Sequence, residues 1–129
     1  MSWVGKGEPA VTFNCHCSLC RRAGGAAFVA AAAFKPENVE WKGESNIREY
    51  LPATSRVPRR YCKLCGSYVA EDARTVLGVF ALPIGLSTGM VDKVYHPTPH
   101  IVWDSRICDV PDSKSFEEQQ PRREPGFEL

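Results

Sequence analysis

Three cysteines fall within six residues, Cys15-His16-Cys17-Ser18-Leu19-Cys20, and two more stand at Cys62-Lys63-Leu64-Cys65. Thiolates are soft ligands, and zinc prefers them. Cysteines clustered at one- and two-residue gaps read as metal ligands rather than framework disulfides, because loops that small constrain little of the unfolded chain. A structural zinc takes four protein ligands, and a catalytic zinc takes three and keeps one position open. Five thiols do not divide into tetrahedral sets. Either four of them close one site and one is spare, or Cys15, Cys17 and Cys20 form an open site while Cys62 and Cys65 belong to a second, incomplete one. Spacing leaves both arrangements open.

The neighbouring residues have plainer readings. His16 lies between two presumed ligands, and on extended backbone it faces away from the metal they share. His96 and His100 occur singly, which is the pattern of structural histidines. Cys108 is isolated and reads as an ordinary thiol. Arg21 and Arg22 form a solvated face or offset the charge of the thiolates, since three thiolates on one zinc leave a net negative site. Trp41 and Trp103 read as core.

Several short elements must position these groups. Val11 to Asn14 alternates and is β-rich, and it leads into Cys15 as a strand. Met1 to Pro9 reads as a polar lead-in. Ala26 to Phe34 is balanced between helix, for its alanines, and a short buried strand, for its Gly24-Gly25 and Lys35-Pro36 borders. Val39 to Trp41 and Ile47 to Leu51 read as strands joined at a tight turn by Lys42-Gly43, and Pro52 to Pro58 as a loop. Cys62 to Gly66 has the form of a zinc knuckle. Tyr68 to Ala70, Val76 to Leu82 and His100 to Trp103 read as further strands, with a turn over Leu86 to Gly89. From Asp109 onward apolar residues are sparse and prolines frequent, so residues 110–129 read as a disordered C-terminal tail on a domain spanning 1–109.

The chain has 129 residues, 43% hydrophobic and 24% charged, the composition of one ordinary globular domain. A formal net charge of +1 excludes a strong global field for nucleic acid or anionic lipid. Arg56, Arg59, Arg60 and Lys63 make one local basic stretch. No apolar run approaches the roughly 20 residues of a membrane span, and Met1 to Gly7 shows no secretory pattern. The expectation is a cytoplasmic protein with reduced thiols and no membrane or nucleic-acid partner.

The run Cys15-His-Cys-Ser-Leu-Cys-Arg-Arg-Ala-Gly-Gly-Ala, with Arg60-Tyr-Cys-Lys-Leu-Cys-Gly-Ser and Pro99-His-Ile further on, resembles the glutathione-dependent formaldehyde-activating enzyme family, which includes centromere protein V. The resemblance extends from about Val11 to Trp103. It implies a mainly β, Mss4-like fold of twisted antiparallel sheets around zinc, and it favours strand for Ala26 to Phe34. It implies a catalytic zinc at Cys15, Cys17 and Cys20. It also implies a structural zinc at Cys62 and Cys65 together with a cysteine pair from an earlier strand. No cysteine precedes Cys15, so that first strand is expected to be missing here. The implied activity is that of a carbon–sulfur lyase on glutathione–aldehyde adducts of the S-hydroxymethylglutathione type, with glutathione as thiol substrate. The alternative is a non-catalytic, zinc-stabilised binding module of the centromere protein V type.

Overall fold

The computed structural model describes residues 1–86, 99–108 and 110. His96, the turn expected at Leu86 to Gly89 beyond its first residue, and the tail expected at 110–129, apart from Val110, lie outside them.

Among the described residues, nine strands make two sheets. The small one pairs β1 (Ser2–Gly5) with β4 (Val39–Lys42), antiparallel, placing Trp3 opposite Trp41. The segment expected to be only a lead-in therefore contains a strand. The large sheet has seven strands in the order β5 (Ile47–Tyr50), β6 (Arg59–Cys62), β7 (Tyr68–Ala73), β8 (Val79–Pro83), β3 (Val29–Phe34), β2 (Val11–Cys15) and β9 (His100–Ile101). The fold is mainly β, as expected, but the sheet is mixed rather than wholly antiparallel. β9 runs parallel to β2, pairing His100 with Asn14 and Ile101 with Cys15.

The alanine run resolves as strand. Ala31, Ala32 and Ala33 lie in β3, between β2 and β8, and all three are buried. A central strand covered on both faces has space for small side chains, and tertiary packing overrides the helix preference of alanine. Successive β3 residues feed two cores, because side chains alternate along a strand. Val29 and Ala31 pack with Cys15, Cys20, Tyr68 and Ala81, whereas Ala32 and Phe34 pack with Val39, Ala70, Phe80 and Leu82.

Three local expectations change. A helix, α1 (Ser18–Gly24), follows the first cysteines and ends where Gly25 adopts a φ of 61°. Val76 to Leu82 is not one strand: α2 (Arg74–Leu77) ends at Gly78, φ 69°, and only then does β8 begin. The strand expected over His100 to Trp103 stops at Ile101, because Val102 turns left-handed at φ 58° and a 3-10 turn follows over Trp103–Ser105. Val39–Lys42 and Ile47–Tyr50 are strands as expected, but the turn between them sends them to different sheets.

Candidate metal centre

Cys15 ends β2, Cys17 caps α1, and Cys20 lies one turn into that helix. Their sulfurs all lie within 4.8 Å of one another. Three sulfurs at 2.3 Å from one tetrahedral ion would stand about 3.8 Å apart, so the cluster has the right size for a zinc without rearrangement of the backbone. The donor set is three soft ligands, with Cys15 and Cys20 buried at 5% and 1% exposure. The residues therefore fit a zinc ion.

Local structure prepares the set for ionisation. Cys17 Sγ accepts from the Cys20 backbone N–H at 3.2 Å, so the cap of α1 is itself one of the three clustered sulfurs. Hydrogen bonds with Cys15 and Cys20 hold the Cys17 thiol far below its ordinary value, against the opposing effect of burial. Cys20 is pushed far up by its bond with Cys15 and then by that with Cys17, with burial and the Glu71 charge adding to them. Cys15 is raised chiefly by its bond with Cys17, and burial adds to it.

His16 faces the opposite side of β2. It is 0% exposed and lies outside the sulfur cluster. Asn14 Nδ2 donates to His100 Nε2 at 3.1 Å, and His100 Nδ1 then donates to His16 Nε2 at 2.7 Å. This direction leaves the His16 Nδ1 proton buried and without a partner. Phe28 and Trp103 enclose the two rings, at centroid distances of 5.2 Å and 5.0 Å from His16. Burial first, then the charges of His100, Arg106 and Arg21, lower His16 to about 4. This histidine pair ties β9 to β2 behind the metal centre.

Two residues that the sequence reading did not single out as site residues stand beside the sulfurs. Cys20 Sγ donates to Glu71 Oε1 at 2.7 Å, and Tyr68 Oη donates to the same oxygen at 3.0 Å. A register shift between β6 and β7 brings Tyr61 opposite Tyr68 while Arg60 faces Ala70. The extra β7 residue turns Tyr68 onto the face occupied by Glu71. Burial drives the Tyr68 hydroxyl far up, and the Glu71 charge adds to this, so it remains a donor.

Cys62 and Cys65 sit on a turn closed by Gly66, φ 74°, with the Gly66 N–H donating to Cys62 O at 2.9 Å. Cys62 is buried and Cys65 exposed. A hydrogen bond with Ser67, followed by one with Cys62, lowers Cys65 to about 7. Among the described residues the pair joins no cluster of three or more ligand-type side chains, and neither cysteine joins the first three. Cys108 is an exposed free thiol. The basic stretch is not a surface patch. Arg59 and Arg60 are 4% and 6% exposed, and Arg60 is engaged by Glu49 at 2.8 Å and Asp72 at 2.9 Å.

Along α1, Ser18, Arg21, Arg22, Gly25, Ala26, Ala27 and Ile107 line an open groove of about 710 Å³. Helical spacing groups Ser18 with Arg21 and Arg22, and it brings Arg21, four residues on, to the same side as Cys17. The Ser18 hydroxyl is buried without a hydrogen-bond partner.

The family model for glutathione-dependent formaldehyde-activating enzyme matches residues 2–105. The chain belongs to that family. Among solved structures it is similar to the crystal structure of a Rhodobacter sphaeroides protein determined in a structural-genomics programme. The two are 25% identical, with a TM-score of 0.50, over 62% of this chain and 71% of the other. Among curated proteins none matches. The mixed large sheet and the three-cysteine cluster are compatible with an Mss4-like zinc fold. No helix among the described residues is long and apolar enough to cross a membrane.

Proposed function

We propose that this member of the glutathione-dependent formaldehyde-activating enzyme family is a zinc-dependent carbon–sulfur lyase acting on glutathione–aldehyde adducts, in the cytoplasm. The observation that carries the reading is the convergence of three sulfurs, those of Cys15 and Cys20 on buried residues, in a cluster that no fourth ligand-type side chain joins among the described residues. Cys15, Cys17 and Cys20 would hold zinc, which supplies a Lewis acid with one position left for a substrate group. In the synthetic direction a bond forms between the glutathione sulfur and the aldehyde carbon. The thiol proton leaves sulfur and ends on the former carbonyl oxygen. Lysis reverses each change.

The groove along α1 suits the rest of such a substrate. Glutathione carries two carboxylates, and Arg21 and Arg22 offer fixed guanidinium charges along the groove wall. Arg21 is oriented by its Nε bond to His16 O at 3.1 Å. Cys62 and Cys65 are assigned to fold stability. A binding module working through basic charge is less well supported, because Arg59 and Arg60 are turned inward.

The test combines zinc content with an assay of hemithioacetal formation and breakdown. Cys20→Ser is expected to lose zinc and activity together, and Arg22→Gln is expected to raise KM for glutathione more than it lowers kcat. Full zinc loading with unchanged activity in Cys20→Ser would refute the proposal.

A further inference from the structure

The chain carries a buried arginine whose charge no surface role explains. Arg59 lies in β6, directly opposite Glu71 of β7. Its Nη1 donates to Val57 O at 2.8 Å, which fixes the guanidinium independently of any acidic residue. Its Nε is buried and has no hydrogen-bond partner. The guanidinium then stands between two groups. Glu71 Oε1 lies 3.7 Å from Nε, and Cys20 Sγ lies 4.0 Å from Nη2. The side chains of Arg59 and Glu71 are 5% and 16% exposed, so solvent does little to screen either charge.

We infer that Arg59, rather than Arg21 or Arg22, is the positioning residue that offsets the charge of the cysteine centre. The inference rests on the reading that Cys15, Cys17 and Cys20 hold a metal. A divalent ion held by three thiolates leaves the loaded site with one net negative charge. That charge develops in a buried place, where an opposite charge at fixed distance counts for more than in water. Glu71 works in the other direction. Its carboxylate faces the Cys20 sulfur and draws on the same guanidinium. The two residues should therefore act with opposite sign on metal affinity, which a purely structural pair would not do. Outer-shell partners of metal ligands commonly carry such effects.

The test is zinc affinity of the full chain at fixed pH, by competition with a chromophoric chelator. The thiolate-to-metal charge-transfer bands of the cobalt-substituted protein serve as a second readout. Wild type is compared with Arg59→Gln, Arg59→Lys, Glu71→Gln and Cys20→Ser. Arg59→Gln should bind zinc about 10- to 100-fold more weakly. Arg59→Lys, which keeps the charge, should recover most of that loss, and Glu71→Gln should bind several-fold more tightly. If Arg59→Gln does not fold, the sign of the Glu71→Gln effect and the strength of Arg59→Lys still decide. Unchanged affinity in Arg59→Gln, or weakening in Glu71→Gln, would overturn the inference while leaving the metal centre standing. Absence of zinc from the wild type, or undiminished zinc in Cys20→Ser, would remove the metal centre itself and the inference with it.

Discussion

Replacing Asp72 by asparagine tests how the strands that carry the site are held together. Asp72 is buried in β7, and its carboxylate receives Arg60 Nη2 at 2.9 Å and Arg74 Nη2 and Nε at 2.7 and 2.8 Å. Arg60 is itself buried, with its guanidinium 4.8 Å from the Phe80 ring centroid and 5.5 Å from that of Trp41. Breaking a buried ion pair strands a charge and costs about 3–5 kcal/mol. Glu49, half exposed, still reaches Arg60 at 2.8 Å, so part of that compensation survives. The expected loss is about 2–3 kcal/mol, or about 8–12 °C in melting temperature for a domain of this size. The pH dependence has a defined sign. Burial opposes the charged form of Asp72, but the Arg74 hydrogen bonds and the Arg60 charge outweigh it and hold the carboxyl below its ordinary value. Its contribution is therefore complete above the ordinary carboxylate pKa and fades as pH falls through the lowered one. Thermal melting of both proteins from neutral pH to pH 3 measures it. The gap should be widest near neutrality and close in acid. A variant melting within 2 °C of wild type at pH 7, or a gap that widens in acid, would show that the network is not as described.

Four further outcomes follow from the packing. Leu82→Ala, at a side chain with 0% exposure, should cost about 2–5 kcal/mol in chemical denaturation. Gly24→Ala would set a methyl 2.7 Å from Val29 Cγ2 and should cost about 1–3 kcal/mol in the same assay, displacing the helix that bears Cys20. His16→Ala removes a fully buried ring and leaves His100 Nδ1 without its partner, so a loss of about 2–4 kcal/mol is expected, with zinc per folded chain unchanged by metal analysis. Cys62→Ser should lower the melting temperature while leaving kcat of the folded fraction unaltered.

The sequence was informative where chemistry is local and silent where it is not. Three thiols in six residues announce a sulfur cluster that could hold a metal, because one bend of backbone suffices to bring them together. Arg59 and Glu71 could not be found that way. They reach Cys20 across sequence separations of 39 and 51 residues, through strand order and register that no short pattern encodes. The opposite facing of His16 followed from strand alternation, yet its pairing with His100 depends on the parallel β9 contact. α1 escaped notice because seven residues are too few for a helical period and its cap is a cysteine rather than a hydroxyl or amide. β1 escaped because its pairing with β4 places one tryptophan opposite another within an otherwise polar stretch. Val76 and Leu77 looked like strand by composition, and only the left-handed Gly78 separates them from β8. The alanines of β3 were ambiguous because their small size serves a helix and a sheet covered on both faces equally well.

The central claim is that Cys15, Cys17 and Cys20 hold one zinc and leave a position open. Zinc-edge X-ray absorption on the full chain loaded with one equivalent of zinc counts its ligands directly. The expected result is three sulfurs at about 2.3 Å and one oxygen or nitrogen at shorter distance, with the lighter neighbour replaced by a fourth sulfur when glutathione is added. Four sulfurs before any thiol is added, or a shell containing no sulfur, would contradict it.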